Sequence, residues 1–348
     1  MAENDRQLCV VTWPGYEPDD RETRSLIEAA GVEVEFRPKV GPRTPDDVAS
    51  MMERASAAIA STDPFDQTVF LRAPRLRVIA RTGVGLDSID LDAATRAGVV
   101  VTRTTGAHEE TVAEHTVALL LAVIRRVLEN DASVRRGEWD RAGTLTPWSL
   151  QNQCVGIIGL GRIGTAVAQR LLGLGCEVIA CDPYVRSNNT IEIVTLDELF
   201  LRSDVVSLHV PLTPETQTLV NAHRIRSMRR GAILVNMSRG ELVDEAALVD
   251  ALVSGHLRGA ALDVFEQEPP ARPQLLELPN VVLSPHIAGF TQESIRTLTA
   301  QAVRSVINIL AGRATPGVVN PEALIHPRHA GDGGAAPSVT SLLGDDDV

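Results

Sequence analysis

The run Val155-Gly156-Ile157-Ile158-Gly159-Leu160-Gly161-Arg162-Ile163-Gly164 carries the spacing G-x-G-x-x-G. Glycine suits each of its three positions for a separate reason. Gly159 permits a tight turn, Gly161 lets bare backbone approach a pyrophosphate, and Gly164 lets a helix pack closely on a strand. The helix that follows offers unpaired N–H groups and a positive dipole end to phosphate oxygens. Asp182 closes the next apolar run, Val178-Ile179-Ala180-Cys181. A carboxylate there can accept hydrogen bonds from ribose hydroxyls and repel a 2′-phosphate, which predicts a site for NAD rather than NADP. The plainer reading of Asp182 is a cap on the next turn.

Three further side chains are of complementary type. Arg239, in Asn236-Met237-Ser238-Arg239-Gly240, can fork onto a carboxylate and polarise a neighbouring carbonyl. His286, in Ser284-Pro285-His286-Ile287-Ala288-Gly289, can exchange a proton near neutral pH. Glu268, in Asp263-Val264-Phe265-Glu266-Gln267-Glu268, can pair with that histidine and favour its imidazolium form. Reduction of a ketone needs such a set: a held acid, a polarised oxygen and a proton source. Singly, each has a duller reading, as a surface ion pair, a solvated loop charge and a satisfied turn histidine.

Chemistry of this kind needs strands that end level with one another. Apolar runs predict strands at 8–12, 32–36, 57–60, 77–80 and 99–102, then at 155–158, 177–181, 191–194, 205–209, 232–236, 259–263 and 281–284. Helical stretches fall between most of them, notably 21–30, 165–174 and 292–311. Strand and helix in alternation predict an α/β protein with doubly wound parallel sheets. A long apolar helix over 108–127, followed by a turn-rich stretch over 136–153, separates the two series. Arg239, Glu268 and His286 all follow predicted strands, where open α/β sheets bind ligands.

Composition narrows the function. The 348 residues suit two domains, and with 44% apolar and only 3% aromatic residues the core must come from Val, Leu, Ile and Ala. A net charge of −12 argues against nucleic acid or an anionic membrane as partner. The cysteines at 9, 154, 176 and 181 have neither metal-ligand nor redox spacing, so reduced thiols and no metal site are expected. The acidic start lacks a signal-peptide pattern, and the longest apolar run, 117–124, is too short to span a bilayer. A cytoplasmic protein is expected. From about Pro327 the chain turns to Gly, Ala, Pro, Ser and Asp and reads as a disordered tail, 326–348.

The order of several segments carries more. Arg81-Thr82-Gly83-Val84-Gly85-Leu86-Asp87, Val112-Ala113-Glu114-His115, Gly159–Gly164, His209-Val210-Pro211-Leu212-Thr213, Asn236–Gly240, Ala261–Glu268 and Pro285–Gly289 together resemble the D-isomer-specific 2-hydroxyacid dehydrogenases. The closest resemblance is to their D-3-phosphoglycerate dehydrogenase-like members, over roughly Asp63 to Val318. The resemblance implies a Rossmann-type NAD domain, 105–289, inserted into a smaller flavodoxin-like α/β substrate domain, 1–104 plus 290–325.

It also implies that Arg239 clamps substrate, His286 donates the proton and Glu268 orients it. Arg162 and Ile163 would contact the pyrophosphate, Ser238 and Asp263 would lie along the nicotinamide half, with Asp263 reaching the carboxamide, and Gly289 would be a further cofactor-binding residue. Backbone N–H groups of Val84 and Gly85 would receive the substrate carboxylate, with Ser61 nearby and His115 and His209 in supporting roles. A small 2-hydroxy or 2-keto acid is the implied substrate. A homodimer through the long helix and the Trp-containing stretch after it is expected from their excess apolar surface. One departure stands out. Where phosphoglycerate-specific members carry a pattern like Arg-Ser-x-Thr, this chain has Ala60-Ser61-Thr62-Asp63. Two alternatives stay open, a phosphite dehydrogenase-type enzyme and an NAD(H)-sensing, corepressor-like binding protein.

Overall fold

A computed structural model describes residues 7–106, 108–139, 141 and 146–326, with the side chain of residue 22 left out. The expected tail, apart from His326, and part of the turn-rich stretch lie outside the described residues. Two compact units divide the chain, residues up to 107 with those from 291, and residues 108–290.

Among the described residues the first unit holds five parallel strands: β1 (Gln7–Val11), β2 (Val32–Phe36), β3 (Ala57–Ala60), β4 (Val78–Arg81) and β5 (Val100–Arg103). Their order is β2-β1-β3-β4-β5, the flavodoxin-like arrangement. Small and β-branched residues dominate β3, β4 and β5, which are buried on both faces, whereas the edge strand β2 carries Glu33 and Glu35. Cys9, Val11, Ala57 and Ile59 face the helix Gln292–Leu310 through Leu298, Ala302 and Val303. Val10, Ala58 and Ala60 face the other way, onto Val69 and Phe70. The fully buried Trp13 donates its indole N–H to Thr299 Oγ1 at 3.0 Å, joining the two ends of the chain within this unit.

Among the described residues the second unit holds seven parallel strands: β6 (Cys154–Ile158), β7 (Glu177–Cys181), β8 (Glu192–Ile193), β9 (Val205–Leu208), β10 (Ala232–Asn236), β11 (Leu257–Leu262) and β12 (Val281–Leu283). Their order, β12-β11-β10-β9-β6-β7-β8, reverses between β6 and β9, the switch point of a Rossmann sheet. Register sets the carboxyl ends level. Cys181 lies opposite Ile158, Ile158 opposite Leu208, Leu208 opposite Asn236, Asn236 opposite Leu262 and Leu262 opposite Leu283. The residues that follow these six strands therefore emerge along one edge.

Two elements differ from expectation. The long apolar helix spans Glu109–Ile124 and stops there. Arg126 takes a left-handed conformation, φ 51°, and a second helix runs over Val127–Arg135. The break is local: the Arg126 guanidinium reaches forward to Glu129 at 2.7 Å in the first turn of the new helix. The edge strand β8 is only two residues long, against the four expected, and it pairs through Ile179–Ala180 alone. Among the described residues no helix is long and apolar enough to cross a membrane.

Candidate active site

At the switch point, backbone geometry explains the glycines. Gly159 sits at φ +91°, and a Cβ there would lie 2.5 Å from the His209 carbonyl oxygen. A Cβ on Gly164 would lie 2.0 Å from the Gly159 carbonyl oxygen, so the helix Arg162–Gly173 can rest on the loop only with glycine there. Gly161 differs: a Cβ would meet nothing within 4 Å, so space lies open above it. Beside it the N–H groups of Arg162 and Ile163 find no acceptor among the described residues. Open space, free donors and a helix N-terminus are what a pyrophosphate requires. The Arg162 side chain is 73% exposed, with Nε 3.2 Å from Glu109 Oε1.

Asp182 does what its plainer reading foresaw. One carboxylate oxygen accepts from Leu160 N at 2.8 Å and the other from Tyr184 N at 2.8 Å. Each oxygen keeps a second lone pair for a ribose hydroxyl, so the turn contacts orient the group without using it up. Ser238 donates its hydroxyl to the Val210 carbonyl. His209, with Nε2 2.8 Å from Ser207 Oγ, has its pKa pushed down to about 4 by burial, so it is neutral at neutral pH. The residues at this edge fit a dinucleotide.

The edge continues with the loops after β10, β11 and β12. Asn236 shapes the first by accepting from Ser238 N at 3.0 Å and donating to the Arg239 carbonyl at 2.7 Å. The half-buried Arg239 guanidinium donates to the Ser238 carbonyl at 2.7 Å. His286 Nδ1 lies 2.8 and 3.0 Å from the two oxygens of Glu268. A carboxylate only accepts, so Nδ1 carries the proton and Nε2 is the atom left to exchange one. The His286 backbone stands at φ 55°, which costs a non-glycine residue on the order of 1 kcal/mol and must be held by its surroundings.

Asp263 supplies that hold. Its backbone carbonyl accepts from His286 N at 2.8 Å, and its carboxylate accepts from Ile287 N at 2.9 Å and Ala288 N at 2.7 Å. The resemblance implied that Asp263 reaches the nicotinamide carboxamide. Here the residue is fully buried and its oxygens are turned to the His286 loop, because a buried carboxylate must be met by donors close at hand. Gly289 ends the loop, where a Cβ would lie 2.6 Å from His108 Nδ1. Among the described residues no cluster of His, Cys, Asp and Glu is arranged to hold a metal.

In the first unit, β4 ends in the turn 82–85. Arg81, 6% exposed, wraps back so that its Nε donates to the Gly85 carbonyl at 3.0 Å. The N–H groups of Val84 and Gly85 have no acceptor among the described residues. Ser61 follows β3 and is half-buried. Beside it lies a residue the sequence reading passed over. Lys39 Nζ donates to both the carbonyl and the hydroxyl of Thr62, each at 2.9 Å. A signal was present, since Lys39 is the only lysine in a chain whose other basic residues, apart from histidine, are all arginine. Arg43 pairs with the buried Asp63 at 2.9 Å next to it.

A Rossmann sheet with a dinucleotide-fitting switch point, bearing an arginine and a His–Glu pair on the same strand ends, defines a class of dinucleotide-dependent dehydrogenases. Comparison with known proteins narrows this. Residues 117–288 match the family described as D-isomer specific 2-hydroxyacid dehydrogenase, NAD binding domain. The chain is 44% identical to a glyoxylate reductase from Thermofilum pendens over 272 residues, covering 76% of this chain and 80% of that protein. It is 40% identical to D-3-phosphoglycerate dehydrogenase from Mycobacterium tuberculosis over 305 residues, 86% of this chain. That match spans only 58% of the mycobacterial protein. The crystal structure of a protein from Thermus thermophilus superposes with a TM-score of 0.83 at 39% identity, covering 90% of this chain and all of that one. The chain belongs to the D-isomer specific 2-hydroxyacid dehydrogenases, and its second unit is that family's NAD-binding domain.

Proposed function

We propose that this protein interconverts a small D-2-hydroxy acid and its 2-keto acid with NAD as cofactor. The observation that carries the reading is the His286–Glu268 contact at 2.8 Å on the strand-end edge that also bears Arg239 and the G-x-G-x-x-G turn. When bound at that turn, NADH supplies the hydride for the carbonyl carbon. Arg162 and Ile163 N–H groups hold the pyrophosphate, and Asp182 takes the ribose hydroxyls and turns away a 2′-phosphate. Ser238, Asp263 and Gly289 shape the nicotinamide end. Arg239 polarises the keto oxygen and fixes the substrate, and His286 Nε2 delivers the proton while Glu268 holds Nδ1–H. In the first unit, the free N–H groups of Val84 and Gly85 receive the substrate carboxylate, with Ser61 and Thr62 beside the C3 substituent.

Glyoxylate and hydroxypyruvate, small acids with at most a polar C3 group, match Ser61 and Thr62 best. A second reading, a 3-phosphorylated keto acid, is favoured by Lys39, a compact cation held at Thr62 where the expected arginine is absent. NADH oxidation with glyoxylate, hydroxypyruvate, its 3-phosphate, pyruvate and bulkier acids tests both. Turnover of the unphosphorylated acids, unaffected in Lys39→Met, supports the first. Preference for the phosphate, lost in Lys39→Met, supports the second. Silence across the panel with NADH still binding rejects the reaction. The partner is a small acid rather than nucleic acid or membrane, given the net charge of −12. Four free cysteines suit the cytoplasm. Exposed Val127, Leu128, Val134 and Trp139 support a homodimer through the two helices that follow residue 108, and a solution mass of one chain at micromolar concentration rejects it.

A further inference from the structure

The buried Asp263 carboxylate is not met by the His286 loop alone. Ser284 Oγ lies 2.5 Å from Asp263 Oδ1, and His115 Nε2 lies 2.9 Å from Ser284 Oγ. A carboxylate accepts only, so the serine hydroxyl donates to Asp263 and its remaining lone pairs face His115. His115 must then donate through Nε2, and each proton in the row is fixed by its neighbour. His115 comes from the helix Glu109–Ile124, Ser284 follows β12 and Asp263 follows β11. The row therefore runs from the long helix, through two strand ends, to the three successive N–H groups of His286, Ile287 and Ala288 that Asp263 holds. His115 Nε2 is also 3.7 Å from Asp263 Oδ1, too far for a hydrogen bond, so the contact runs through Ser284.

We propose that Ser284 and His115 are positioning residues for the proton donor. They fix the Asp263 carboxylate in the rotamer that holds the His286 loop, and so set where His286 Nε2 stands. Neither touches the reacting atoms. The inference rests on His286 being the proton donor, but the row itself can be tested without turnover.

The experiment compares wild type with Ser284→Ala, Ser284→Thr, His115→Leu and His115→Gln. Threonine restores the hydroxyl, and glutamine offers an amide N–H near the position of Nε2. Two readouts are taken on each: kcat, keto-acid KM and NADH Kd on one side, and backbone amide hydrogen exchange over 285–289 on the other. Ser284→Ala and His115→Leu are expected to lower kcat roughly ten- to a hundredfold with NADH Kd within about twofold. Exchange over 285–289 rises in both, and Thr and Gln recover both readouts. The double variant Ser284→Ala/His115→Leu is no slower than Ser284→Ala, because the two act in series. The proposal is overturned by unchanged exchange, by losses that add in the double variant, or by faster exchange without loss of kcat where wild type turns over. Where wild type shows no turnover and exchange still responds, the hydroxyacid reading fails and the row stands. Should His115→Leu not fold, Ser284→Ala against Ser284→Thr decides alone.

Discussion

Gly240 rests directly on the peptide of Phe265: a Cβ at Gly240 would lie 1.8 Å from the Phe265 carbonyl carbon and 2.4 Å from Glu266 N. The loop bearing Arg239 and the loop bearing Glu268 are thus in backbone contact, and no side chain fits between them. Gly240→Ala is expected to push the loops apart, costing about 1–3 kcal/mol of stability and a larger share of activity. Thermal unfolding together with kcat/KM checks this. Full activity at unchanged stability would show that the loops move independently.

Arg239→Ala is expected to raise the keto-acid KM and cut kcat while NADH binding stays intact. Its guanidinium acts on substrate, whereas the pyrophosphate is held by another turn. Fluorescence titration with NADH, run beside steady-state kinetics, separates the two. Equal loss of both would make Arg239 a structural residue.

Replacing His286 with Asn should slow turnover roughly a hundred- to ten-thousandfold, the usual contribution of a positioned acid–base group. Glu268→Gln keeps one acceptor oxygen for Nδ1–H but removes the charge, so its loss should be smaller. A near-normal rate in His286→Asn assigns the proton to another donor.

The glycines of the turn should separate under substitution. Gly164→Ala drives a Cβ onto the Gly159 carbonyl at 2.0 Å and is expected to destabilise the second unit. Gly161→Ala meets only open space, so the protein folds and the defect falls on NADH affinity. Melting temperatures and NADH Kd for both variants check the contrast. Equal melting losses would mean that the space above Gly161 is not where the cofactor lies.

His209 gives a stability dependence of definite sign. Burial lowers its folded pKa from 6.5 to about 4, so as pH falls the unfolded chain takes up the proton first. Its contribution is therefore intact above about 6.5 and is lost progressively as pH drops to about 4, a total on the order of 3 kcal/mol. Denaturant unfolding between these limits should show a shallower decline in His209→Gln than in wild type. Parallel slopes would mean that His209 is solvated.

Much of this molecule is legible in the amino-acid order because its determinants are local. A strand buried on both faces must be a short run of apolar residues, and among the described residues eleven of the twelve strands start and end within about one residue of the predicted runs. The exception is β11, which starts two residues early at Leu257. The G-x-G-x-x-G turn was equally readable, since it requires glycine for steric reasons within a few residues of chain. The break at Arg126 was not, because it rests on one backbone angle and a contact to Glu129 that the apolar pattern does not encode.

What only the tertiary structure decided are the partnerships between strand ends distant in sequence. Lys39 reaches Thr62 because β2 and β3 both flank β1, although 23 residues separate them along the chain. Asp263 turns to the His286 loop rather than outward because β11 and β12 are neighbours in register, Leu262 opposite Leu283, so its carboxylate meets three donors before it meets solvent. Sequence alone specifies which residues can carry charge or a proton. Burial and register specify whom each one faces, because a buried polar group must be satisfied by whatever the packing brings within reach.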